Sequence, residues 1–123
     1  MEKSLKKTLV LGASDNPSRY SFLAVNNLRK HGHPVVAIGR KKTNIADVTV
    51  DTETSPINDI DTVTLYLNPE HQKEYIDYIV SLHPKRVVFN PGTENEEMQN
   101  RLDKEKIPYM EACTLVLLTT GQY

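Results

Sequence analysis

Thr8-Leu9-Val10-Leu11-Gly12-Ala13-Ser14-Asp15-Asn16-Pro17-Ser18-Arg19-Tyr20 is the stretch that decides the fold of this 123-residue chain. The apolar run at 7–11 reads as a buried strand, and the Gly/Ser/Asn/Pro segment after it reads as a turn. Residues 21–31 then place Phe22, Val25 and Leu28 at helical spacing, with Leu23 alongside, and Gly32 is a helix stop. A strand, a turn suited to close backbone approach and a helix, in that order, open an α/β unit.

The alternation continues outward from there. Residues 34–38, 61–67, 86–89 and 107–110 read as further strands, with 46–50 a short candidate in the polar stretch 43–56. Pro69 suits a first helical turn, and Tyr75, Ile76, Ile79 and Leu82 make one helical face after it. Thr93-Glu94-Asn95-Glu96 has the capping-box pattern, and Met98 and Leu102 continue an apolar side. Residues 114–119 form an apolar tail, free to pack on the sheet or to make a subunit contact. The expectation is one α/β domain over 1–123, a doubly wound three-layer sandwich with a mainly parallel sheet of about five or six strands.

Charge is divided along the chain. The first 42 positions carry nine basic and two acidic residues, and the remainder carries six basic and fourteen acidic ones. The balanced total of -1 argues against general nucleic-acid binding. No apolar run is long enough to span a bilayer, and no signal core follows the basic opening 1–7, so no membrane or export segment is expected. Cys113, the single cysteine, excludes an internal disulfide and fits a reducing cytoplasm.

In a doubly wound sheet, ligands bind beyond the carboxyl ends of the strands at the switch point. That rule selects 12–19, 39–42, Asn68-Pro69 and Asn90-Pro91-Gly92. Gly12 lets a phosphate approach the backbone, while Ser14, Asn16 and the amides opening the next helix are able to donate to it. The second strand ends in Gly39-Arg40-Lys41-Lys42, where an NAD site has Asp or Glu, and the second and third glycines of a dinucleotide fingerprint are missing. NAD is disfavoured, and a ligand with a phosphate on its ribose, NADP or coenzyme A, is favoured. Arg19 either closes over a pyrophosphate or is a surface residue, and Tyr20 either stacks on a base or covers the core. Asn68 and Asn90 either contact a ligand or cap the helices that follow them.

The four histidines, His31, His33, His71 and His83, have no metal-like spacing. Cys113 reads as a structural thiol rather than a nucleophile, and Glu94, Glu96 and Glu97 as helix-opening acids. No catalytic constellation stands out.

Taken together, residues 10–21, 31–38 and 91–97 resemble the small stand-alone CoA-binding proteins of bacteria. That family has the CoA-binding Rossmann-like fold shared with the alpha subunit of succinyl-CoA synthetase. The resemblance covers nearly the whole chain, from about Thr8 to Cys113. It implies that the pyrophosphate sits at the first turn and adenosine near the second strand end. Gly12, Ala13, Ser14 and Asp15 match the phosphate loop, and Arg19 a basic position after it. Arg40 or Lys41 matches the basic residue after the second strand, and Asn90, Pro91 and Gly92 a later strand-end contact. Ile38-Gly39-Arg40 departs from the Asn-Pro pair usual in the family, and the segment after Cys113 lacks the His and basic residues often found there. The family has no settled reaction.

The leading expectation is therefore a non-catalytic CoA or acyl-CoA binding module. A CoA-using subunit of a larger enzyme, an NADP-binding domain, and an interaction protein without ligand are its competitors. A homodimer or a partner enzyme chain is left open.

Overall fold

The computed structural model describes residues 5–123. Residues 1–4, which belong to the basic opening and to the expected domain 1–123, lie outside the described part. The first strand, β1 (Thr8–Ala13), is followed by helix α1 (Tyr20–Lys30) and strand β2 (Val35–Gly39). Two short strands, β3 (Thr43–Ile45) and β4 (Val48–Asp51), precede β5 (Thr62–Leu65). A helical segment then runs as α2 (Pro69–Gln72), a 3-10 turn (Lys73–Tyr75) and α3 (Ile76–Leu82). The chain closes with β6 (Arg86–Phe89), α4 (Glu96–Lys104), β7 (Tyr109–Glu111) and α5 (Thr114–Thr119).

The strands form one sheet in the order β3-β4-β2-β1-β5-β6-β7, parallel except for the β3–β4 pair. The sheet therefore has seven strands, where about five or six were expected. The difference lies in the polar 43–56 stretch, read as one strand and folded as a hairpin. Ile45, Val48 and Val50 point into the core there, while Asn44 and Thr49 face out. Alternation of this kind is the signature of a half-buried edge.

Alternate residues of β1 serve the two faces of the sheet. Leu9 and Leu11 join Ile76, Ile79, Met98 and Leu102 in the core under α3 and α4. Val10 and Ala13 join Val25, Leu28 and Leu118 under α1 and α5. The apolar tail 114–119 is thus a helix docked on the sheet through Leu118. β5 is polar on this second face, where Thr62 and Thr64 are buried, and Asn90, just past the end of β6, is buried beside them.

One helix start and one helix interior differ from expectation. Asn95, not Thr93, caps α4, accepting from the Met98 amide at 3.3 Å. Thr93 turns back instead and donates to the Asn90 carbonyl at 2.8 Å. The helix expected after Pro69 is broken by the 3-10 turn at Lys73–Tyr75. No helix among the described residues is long and apolar enough to cross a membrane.

Candidate functional site

At the carboxyl end of β1 the register against β2 slips. Leu11 faces Ile38, but Ala13 faces Gly39, so Gly12 is an extra residue in β1. Its φ of 95° is one that L side chains rarely adopt, and an added Cβ would lie 3.0 Å from the Tyr66 carbonyl carbon. This bulge turns the chain away from the sheet and opens a crevice between the ends of β1, β2 and β5.

The crevice is a cleft of about 830 Å³. It collects Gly12, Ala13, Ser14, Asp15 and Arg19 from the first turn, and Gly39, Arg40 and Lys41 from the second strand end. Asn68, Pro91 and Gly92 reach it from the ends of β5 and β6. Of the residues selected from the sequence, Asn16, Pro17, Lys42, Pro69 and Asn90 do not line it.

Asn16 organises the turn instead. Its side-chain oxygen accepts from the Ser18 amide at 3.0 Å and the Ser18 hydroxyl at 2.8 Å. Asn90 lies beneath the cleft, buried and fully committed. It donates to the Thr64 hydroxyl at 2.7 Å and the Leu65 carbonyl at 2.9 Å, and accepts from the Thr114 amide at 2.8 Å. It is a strut between β5, β6 and α5 rather than a surface contact. Asn68 caps α2, accepting from the His71 amide at 3.0 Å.

The start of α1 points a set of donors at the cleft. Its cap residue, Arg19, supplies no side-chain oxygen, and no acid stands in the first turn. The Tyr20 and Ser21 amides have no acceptor among the described residues. Unpaired amides and the helix dipole make such an end attractive to anions. The Ser14 amide is taken by the Ser21 hydroxyl at 3.1 Å, and the Asn16 amide by the Ser14 hydroxyl at 3.1 Å. Tyr20 is 70% exposed, so it does not cover the core and stands free at the cleft rim.

Charge in the cleft is unevenly compensated. The Asp15 carboxylate accepts from the Thr43 hydroxyl at 2.8 Å and lies 3.2 Å from Lys41 Nζ. The Thr43 hydrogen bond, and then Lys41, hold its carboxyl below its ordinary value. Arg40 reaches His71, with Nη2 2.9 Å from Nδ1 and 3.0 Å from Nε2.

The sequence reading missed two contributors. His71 sits three residues past the capping Asn68, on α2, and its spacing in the sequence spoke only against a metal site. Gln72, next to it, is buried and donates to the Leu67 carbonyl at 2.7 Å and the Thr93 carbonyl at 2.8 Å, while accepting from Asn95 at 2.9 Å. It ties the β5 end, the β6 end and the start of α4 into one wall. A glutamine beside a polar run carries no signal of that role. On the cleft floor the Tyr66 hydroxyl is buried without a hydrogen-bond partner, since the neighbouring Thr64 and Thr114 hydroxyls bond each other at 2.8 Å. Burial is the main reason its pKa is pushed up to about 12. Among the described residues no group of His, Cys, Asp and Glu is arranged to hold a metal ion.

A family model described as "CoA binding domain" matches residues 6–119. Among solved structures, the crystal structure of an uncharacterized protein is 46% identical, over 98% of this chain and 100% of that one, with a TM-score of 0.95. A hypothetical protein from Pyrococcus horikoshii OT3 is 24% identical over 91% of this chain and 80% of that one, with a TM-score of 0.82, and shares the fold. An aspartate dehydrogenase from Thermotoga maritima is more distant, 18% identical over 89% of this chain and 45% of that one, with a TM-score of 0.56. No curated protein matches the chain.

Proposed function

Because the chain belongs to the CoA binding domain family, we propose that it binds coenzyme A or an acyl-CoA by the phosphates, in the cleft at the ends of β1, β2 and β5. One observation carries this reading. The uncapped start of α1, with the unpartnered Tyr20 and Ser21 amides, shares a cleft with Arg19 and Arg40, neither of which has a carboxylate partner among the described residues. Unpartnered amides and guanidinium groups that face no carboxylate suit a pyrophosphate and a ribose phosphate.

In this reading the diphosphate lies over Ser14 and the first turn of α1, with Arg19 closing on it. The ribose phosphate lies toward Arg40. Tyr20 supplies an exposed face for adenine. Pro91 and Gly92 border the opposite rim, where the pantetheine arm leaves. A cleft of about 830 Å³ is within the usual range for a small-molecule site. The lone Cys113 fits action in a reducing cytoplasm.

Calorimetric titration with CoA, dephospho-CoA and NADP tests the reading. CoA should bind saturably, with dephospho-CoA weaker by about ten- to hundredfold for the lost charged contacts. Saturable binding of NADP with none of CoA would overturn it.

A further inference from the structure

Asp15 is an acid in a cleft that collects cations. Its Oδ2 lies 3.2 Å from Lys41 Nζ, in a pair whose side chains are 37% and 71% exposed. Exposed ion pairs of this kind contribute little. The same oxygen accepts from the hydroxyl of half-buried Thr43 at 2.8 Å. That bond, ahead of Lys41, is the leading reason the Asp15 carboxyl is held below its ordinary value. Asp15 is therefore an ionised acceptor whose chief partner is a hydroxyl rather than a cation.

The place of Thr43 in the fold gives that bond its reach. Asp15 follows β1 and Thr43 opens β3, while β2 and β4 lie between those two strands in the sheet. The bond therefore bridges the ends of two intervening strands. Between β2 and β3 the chain consists only of Arg40-Lys41-Lys42, all exposed. One end of this loop is set where Gly39 faces Ala13 in the β1–β2 register. The other end is Thr43, in a three-residue edge strand that pairs with β4 alone. Ala13 and Asp15, two residues apart in the first turn, thus hold both ends of the basic loop.

We propose that Asp15 is a positioning residue, which holds the 40–42 loop against the first turn through Thr43 and so shapes the cleft before the nucleotide arrives. This rests on the reading of the cleft as a CoA site. An ionised carboxylate only accepts hydrogen bonds, as an ionised phosphate does, so Asp15 has nothing to donate to the ligand. Its charge opposes a polyanion, and its contribution to binding is indirect. A ligand binds with an apparent affinity reduced by the fraction of molecules whose site is competent. Fixing the loop raises that fraction. A carboxylate suits the task because a hydroxyl bond to an ionised acceptor is about twice as strong as one between neutral groups.

The same hairpin carries an internal control. Its turn, far along the hairpin from Thr43, is tied to the last turn of α1, where Arg29 Nε and Nη2 each donate to a carboxylate oxygen of Asp47 at 2.8 Å. Arg29 also donates to the His33 carbonyl at 2.8 Å. Neither Arg29 nor Asp47 lines the cleft. The two straps hold one hairpin, but only the Asp15–Thr43 strap adjoins the basic loop. Loss of the Arg29 strap reports what loosening the hairpin does by itself.

The test is calorimetric titration of four variants and the wild type with CoA. Thr43→Val keeps the shape of the side chain and alters no charge, and it should weaken CoA about tenfold for one charged hydrogen bond lost from the loop. Thr43→Ser keeps the hydroxyl and should bind CoA as the wild type does. Asp15→Asn keeps an acceptor for Thr43 and drops the opposing charge, so it should bind CoA more tightly than Thr43→Val. Arg29→Ala should leave CoA affinity unchanged. Wild-type affinity in T43V, no rescue in T43S, D15N as weak as T43V, or R29A as weak as T43V would each overturn the positioning role and leave the CoA reading standing. A wild type that does not bind CoA would overturn both.

Discussion

Gly39 packs so closely against Ala13 that a Cβ on Gly39 would stand 2.2 Å from the Ala13 carbonyl oxygen. This contact sets the spacing of the two strand ends from which the first turn and the Arg40-Lys41 pair depart. It follows directly from the bulge at Gly12, which brings Ala13 opposite Gly39.

Gly39→Ala should therefore destabilise the fold by about 1–3 kcal/mol or more, because backbone rather than a flexible side chain must yield. Denaturant unfolding of the variant against wild type measures it. A change under about 0.5 kcal/mol, the range of an unremarkable surface substitution, would mean that the two strand ends are not held this tightly.

Asn90→Ala removes three hydrogen bonds under the cleft and strands the Thr114 amide. The expected loss is about 2–4 kcal/mol, with α5 loosening first. Hydrogen exchange at α5 should speed up more than at β1. Uniform protection across the variant would argue against the strut.

Asp15 sets a pH dependence. Its carboxyl is depressed, by Thr43 first and Lys41 second. A depressed acid contributes stability above its unfolded-state pKa, near 4, and loses it as pH falls through the folded value. Wild type should thus weaken below about pH 4 more steeply than Asp15→Asn. Parallel acid-unfolding curves would show that the Asp15 contacts add nothing.

The parallel scaffold was legible because its signals are local. The apolar runs at β1, β5 and β6 and the turn at Gly12 each state their structure in a few residues. The β3–β4 hairpin was not, because its two-residue turn is Ala46-Asp47 rather than a glycine-bearing pair. Ala46 nevertheless has a φ of 54°. The cleft was half legible. Strand ends marked Gly12, Arg40 and Lys41, but the His71 and Gln72 roles arise from pairing across the crevice and between loops, which no spacing encodes. Asn90 was misread for the same reason: a strand-end asparagine looks alike in sequence whether it faces a ligand or a buried carbonyl.

Ala46→Gly should relieve the strained turn and stabilise the protein by up to about 1 kcal/mol. Thermal unfolding measures this, and a lowered midpoint would show that the turn residue is not under strain.

Amide chemical-shift mapping during titration with CoA tests the central claim most directly. The claim is that the start of α1 and the end of β2 jointly hold the phosphates. Saturable shifts should be largest at Tyr20, Ser21, residues 12–15 and residues 39–41. Contradiction would come from no saturable shift, or from shifts centred on the smaller cleft at Lys73, Arg101 and Lys104 between α3 and α4.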